Sequence, residues 1–85
     1  MNISYSPQFL RSFTKLSLEV QNIYRTKEIL FKSNPYHALL KTHKLKGANV
    51  WSFSVTYKIR VLFVINQSGS LFVNIGDHSI YRKDF

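Results

Sequence analysis

The chain changes its hydrophobic period at Asn34-Pro35, and a segment patterned for a helix cannot serve equally as a strand. Before that point Ile3 to Tyr5 reads as a short opening strand, and Ser6 followed by Pro7 reads as a helix N-cap with proline at the first helical position. Phe9, Leu10, Phe13 and Leu16 then fall on one helical face, with Arg11 and Lys15 off it. Ser17 offers a second cap and Glu19 suits the positive end of the next helix, where Val20, Ile23, Tyr24, Leu30 and Phe31 keep helical spacing. Asn34 ends this helical hairpin, because a residue preceding proline is pushed out of the α region.

After a polar connector the period becomes two. Trp51, Phe53, Val55 and Tyr57 alternate with Ser52, Ser54 and Thr56, which predicts a strand over 51–57 with one buried face. Ile59 to Ile65 is apolar except at Arg60 and reads as a strand buried on both faces. Asn66-Gln67-Ser68-Gly69 is a turn signal, and Leu71 to Ile75 supplies the last strand before Gly76. The expected fold is α+β, a single domain over 1–85 in which an N-terminal helical hairpin packs on one face of a small, mainly antiparallel β-sheet. Basic residues are then left to the other face and its rim.

Charge narrows the function. From Ile29 to Gly76 there is no acidic residue, while Lys32, Lys41, Lys44, Lys46, Lys58 and Arg60 all lie in that stretch. The whole chain carries 12 Lys+Arg against 4 Asp+Glu, a formal net charge of +8 on 85 residues. Self-repulsion of this size points to an anionic partner, and nucleic acid leads, because every neutralised phosphate releases counterions. A purely solubilising basic surface is the plain alternative. With no cysteine, disulfides and thiolate metal sites are excluded, as fits a reducing compartment. The start of the chain lacks signal-peptide features, and no apolar run approaches the roughly 20 residues of a membrane span, so a cytoplasmic protein without membrane contact is expected.

Three segments stand out: His43-Lys44-Leu45-Lys46-Gly47, Lys58-Ile59-Arg60-Val61-Leu62-Phe63, and Ile75-Gly76-Asp77-His78 followed by Tyr81. Placed in this order after a helical hairpin ending at Asn34-Pro35, they resemble the RelE/ParE superfamily of toxin–antitoxin toxins over nearly the whole chain. The resemblance implies a compact RelE-like α+β toxin encoded beside a small antitoxin that wraps it and blocks its basic groove. Superfamily members divide between RelE-like toxins that cut mRNA, often in the ribosomal A site, and ParE-like toxins that poison DNA gyrase. Lys44, Lys46, Arg60, His78 and Tyr81 match positions that RelE-like nucleases use, so the resemblance implies an endoribonuclease whose partners are mRNA, the ribosome and an antitoxin with an acidic segment. A ParE-like gyrase inhibitor and a noncatalytic basic RNA-binding module are the alternatives.

The residues suit that chemistry without the family. Metal-free RNA cleavage needs a base for the 2′-OH proton, cations for the charge on phosphorus and an acid for the departing 5′ oxygen. Scarce carboxylates argue against a two-metal nuclease, and no metal or other cofactor is expected. His78 is the candidate acid, since imidazole exchanges protons near neutrality, and its bland reading is a turn histidine beside Asp77. Arg60 suits the phosphate, because its planar fork can hold two oxygens; its structural competitor is a bond to Asp84 or the C-terminal carboxylate. The base is left open among His43, Lys44 and Lys46, as the dense lysine cluster or second carboxylate of some superfamily members is missing. Tyr81 could stack on a base, donate to phosphate or seal the core edge. Lys44, Lys46, Lys58, Arg60, Arg82 and Lys83 are the expected RNA contacts.

Overall fold

A computed structural model of the chain describes residues 2–45 and 49–84, with 82–84 described as backbone. The elements follow as β1 (Ile3–Tyr5), α1 (Pro7–Thr14), α2 (Leu18–Ser33), a 3-10 turn (Ala38–Leu40), β2 (His43–Lys44), β3 (Trp51–Ser54), β4 (Arg60–Asn66), β5 (Gly69–Gly76) and α3 (Ser79–Asp84). Both predicted caps form. Ser6 Oγ accepts from the Phe9 amide at 3.0 Å, Ser17 Oγ from the Val20 amide at 3.2 Å, and Asn34 leaves the helical region with ψ 104°. Ser6 Oγ also donates to the Val73 carbonyl at 2.5 Å, which pins the start of α1 to the sheet.

Among the described residues the sheet has five strands in the order β1-β5-β4-β3-β2. β1 runs parallel to β5, and the other pairs are antiparallel. Phe9, Tyr24 and Phe31 from the hairpin meet Phe53, Val61, Phe63, Phe72 and Ile75 from the sheet. Phe31 is fully buried with ring centroids of Phe53, Phe63 and Phe72 at 5.2, 5.0 and 5.1 Å, the last two edge-on, a geometry worth about 1 kcal/mol per pair beyond area burial. A second cluster of Val50, Leu62 and Ile80 occupies the opposite face, flanked by half-buried Leu45, Val64, Val73 and Tyr81. No helix among the described residues is long and apolar enough to cross a membrane.

The α+β hairpin-on-sheet architecture is the one expected, with several local corrections. The alternating strand stops at Ser54 rather than Tyr57: Val55 stays buried at 2% exposure while Tyr57 swings out to 88%. Its serine face is not solvated either, since Ser52 and Ser54 are buried against the far side of the sheet. β4 is buried on both faces only over Val61–Phe63, and Ile65 emerges at 39% where β4 leaves the core. Leu10 is 53% exposed, so the α1 stripe is narrower than its spacing suggests. Three elements were not expected: the 3-10 turn and the edge strand β2 inside the polar connector, and α3 after Gly76.

Candidate functional site

Arg60 opens β4, where the register sets it opposite Ser54 on one side and Gly76 on the other. Residues opposed in an antiparallel ladder share a face, so the long arginine side chain lies between two of the smallest neighbours available. Nη1 donates to Ser54 Oγ at 2.6 Å, and Nε is buried with no hydrogen-bond partner among the described residues. Ser54 is uncharged, and among the described residues no carboxylate forms an ion pair with the guanidinium within 4.0 Å. The expected competitor, a bond to Asp84 or the terminal carboxylate, lies outside the described side chains. Gly76 has a second duty. A Cβ there would come 2.7 Å from Ile80 Cγ2, so glycine is what allows α3 to fold back over the end of β5.

That fold-back brings His78 to Arg60. Both line an open cleft of about 600 Å³ together with Tyr57, Lys58, Asp77 and Ser79. Asp77 Oδ1 accepts from the Ser79 amide at 2.9 Å, and hydrogen bonds from the Ser79 side chain and backbone hold its carboxyl below the usual range. Asp77 is therefore ionised at neutral pH and fixes the turn that carries His78. The His78 ring meets Tyr81 edge-on at 5.4 Å, and the Tyr81 hydroxyl shares a hydrogen bond of 3.1 Å with Ser52 Oγ. Tyr81 is thus half-buried in the second cluster, tying the sheet to the histidine, with its hydroxyl already engaged.

The remaining predicted residues are dispersed. His43 lies opposite Ser52, which in turn lies opposite Leu62, so His43 is exposed on the same sheet face as Arg60 but two strands, roughly 10 Å, from β4. Lys44 lies opposite Trp51 and takes the hairpin face, so an extended backbone separates it from His43 rather than aligning them. Lys46 falls outside the described residues. Arg82 and Lys83 belong to α3, and their side chains are outside the description. Among the described residues no three His, Cys, Asp or Glu side chains gather as a metal site would require. Sequence reasoning missed Ser54, Ser52, Asp77 and Tyr57. The two serines were visible as the small polar positions alternating with Trp51 and Phe53, but their partners depend on strand register.

In sequence the chain matches no protein-family model and no curated protein. Solved structures do match in three dimensions. A YoeB/ParE toxin from Agrobacterium tumefaciens superposes with a TM-score of 0.77 at 19% identity, covering 92% of this chain and 99% of the toxin. YafQ from E. coli superposes with a TM-score of 0.75 at 21% identity, covering 94% and 96%. RelE-type toxin structure recurs in a RelB-RelE antitoxin-toxin complex from Methanococcus jannaschii, with a TM-score of 0.76 at 16% identity over 96% of this chain and 99% of the matched one. This chain has the RelE-like toxin fold. On that RelE-like frame, Arg60 comes from the first residue of β4 and His78 from the turn after β5, two segments joined by the Arg60–Gly76 register.

Proposed function

We propose that this chain is the toxin of a type II toxin–antitoxin system, a metal-independent endoribonuclease that cleaves mRNA on the ribosome. The observation that carries the reading is the Arg60 guanidinium, with a buried Nε that has no hydrogen-bond partner among the described residues, sharing one cleft with His78. A phosphate entering the cleft supplies an acceptor and a counter-charge for the guanidinium, and the arginine fork stabilises the extra charge that builds on phosphorus during attack. The 2′ oxygen attacks the adjacent phosphorus as a base removes its proton. The bond to the 5′ oxygen breaks, and His78 in its protonated form supplies the proton that this oxygen takes up, leaving a 2′,3′-cyclic phosphate and a 5′-hydroxyl. Tyr81 holds His78 by ring contact, and Ser54 holds Arg60. His43, on the Arg60 face of the sheet, suits the base better than Lys44, which takes the other face.

Lys58, beside the cleft, and Lys44, Lys46, Arg82 and Lys83 along the chain supply further cations for the RNA backbone. The reaction belongs in the cytoplasm, where mRNA is translated, and needs no cofactor. The solved neighbours include toxins in complex with RelB, YefM and DinJ, which supports an antitoxin partner here as well. An acidic antitoxin segment that folds on binding would cover the acid-free surface around Arg60, with an association rate that falls as salt rises. The deciding experiment is induced expression followed by primer extension on a translated transcript. Discrete cuts inside the reading frame are expected. Intact mRNA with accumulating gyrase–DNA adducts would move the chain to the ParE-like activity, and intact mRNA with RNA binding alone would leave a noncatalytic module.

A further inference from the structure

The turn between β3 and β4 is tied at four points and carries an aromatic ring that packs on nothing inside. Val55 and Thr56 amides donate to the Ile59 carbonyl at 2.8 and 3.1 Å, and Lys58 and Ile59 amides donate to Thr56 Oγ1 at 3.2 and 3.1 Å. Val55, 2% exposed, anchors the turn in the core, while Tyr57 at its apex is 88% exposed. The fold gains almost no apolar burial from that ring, yet the hydrogen bonds hold its backbone in one place. The place is the wall of the cleft, beside Lys58, Arg60 and His78.

We propose that Tyr57 is a base-stacking platform, receiving the face of an unpaired nucleobase next to the phosphate held by Arg60. The inference rests on the reading of the cleft as an RNA site. Two cations and a free aromatic face at one opening match the two parts of a nucleotide, the phosphate and the flat base. An aromatic face is tolerant of base identity, because every base has a π surface. Tyr57 then acts as a positioning residue: stacking orients the nucleotide so that its 2′ oxygen faces the phosphorus, while Arg60 and His78 do the chemistry. The hydroxyl of Tyr57 has no part in this, so phenylalanine should serve as well.

The test uses a uniformly 2′-O-methylated heptanucleotide, which lacks the attacking hydroxyl, titrated at low salt against the parent protein and single variants. Tyr57→Ala should weaken binding by on the order of tenfold, Tyr57→Phe should bind as the parent does, and Tyr57→Trp should bind at least as tightly. An abasic nucleotide scanned along the oligomer should weaken the parent at one position and have little further effect there in Tyr57→Ala, since both changes remove the same contact. Arg60→Ala should lower the salt dependence by one phosphate's worth, a slope change of about 0.7, and Tyr57→Ala should leave that slope alone. A Tyr57→Ala protein that binds at parental affinity, or whose loss simply adds to that of every abasic position, overturns the stacking role. If Arg60→Ala still weakens binding in that case, the phosphate site stands alone. A parent protein that does not bind the oligomer overturns both.

Discussion

Ser54→Ala tests whether Arg60 is held in place by the protein or merely happens to lie in the cleft. The substitution removes one hydroxyl from a buried strand position and leaves the β3–β4 register intact, since no backbone group changes. What disappears is the 2.6 Å bond from Arg60 Nη1, a hydrogen bond to a charged donor. Such bonds contribute about 1.5–3 kcal/mol, and the lower end applies because Arg60 is only half-buried and water can replace the hydroxyl at Nη1. At about 1.5 kcal/mol, and roughly 4–8 °C per kcal/mol for a domain of this size, the melting temperature should fall by about 6–12 °C. Cleavage should suffer as well. A guanidinium free to leave the phosphate should cost about tenfold in kcat/KM, equivalent to about 1.4 kcal/mol at the transition state. The assay is a double-mutant cycle of Ser54→Ala with Arg60→Ala, read by thermal melting and by single-turnover cleavage. With Arg60 gone, Ser54→Ala should cost little in either measurement, giving a coupling of about 1 kcal/mol or more. Ser54→Thr, which keeps the hydroxyl on a residue suited to strands, should recover most of both losses. Equal cost of Ser54→Ala with and without Arg60 would refute the clamp.

Three further outcomes follow from the same geometry. His78→Gln should lower single-turnover cleavage by roughly two to four orders of magnitude while RNA affinity and melting temperature hold, and a folded variant cutting at the parental rate would remove His78 from the mechanism. Tyr81→Phe keeps the ring against His78 and loses the Ser52 bond, so it should cost about 1 kcal/mol of stability with cleavage nearly unchanged, whereas Tyr81→Ala should damage cleavage; a large catalytic defect in Tyr81→Phe would give the hydroxyl a direct role. On the hairpin, Tyr5 and Tyr24 both donate to Glu28 Oε2, at 2.6 and 2.5 Å, and burial followed by the Glu28 carboxylate pushes Tyr5 from 10.0 up to about 12 and Tyr24 upward too. Both folded-state values lie above the unfolded one, so their stabilisation is full below about pH 10 and is lost as pH rises beyond it. Denaturant titrations from pH 8 to 11 should show this decline, flattened in Tyr5→Phe and Tyr24→Phe; an unchanged slope in both variants would remove the tyrosines as its cause.

The hairpin was legible because its signals are local. A serine cap, a proline and a run of apolar residues at helical spacing act within a few residues of one another, and Ser6, Ser17 and Asn34-Pro35 set boundaries that tertiary contacts left in place. The same holds for the basic character of the chain and for Arg60 and His78 as its most suggestive residues, since an arginine in an apolar strand and a histidine after a terminal glycine are visible in isolation. The site itself was not legible. Arg60 meets His78 only because β4 pairs with β5 in the register that puts Arg60 opposite Gly76, and Gly76 leaves room for α3 to fold back over that end. Alternation could not tell that Ser52 and Ser54 are buried, because Ser52 meets Tyr81 from a six-residue helix too short to carry a period of its own, and Ser54 meets Arg60 from the neighbouring strand. Nor could it tell that the strand ends before Tyr57, where the Thr56 hydroxyl captures two amides and turns the chain outward. The sequence alone determined the helical hairpin, the main strands, the charge and the candidate side chains; strand pairing across distant positions decided which of them share a cleft, because register is a property of two strands and cannot be read from either one.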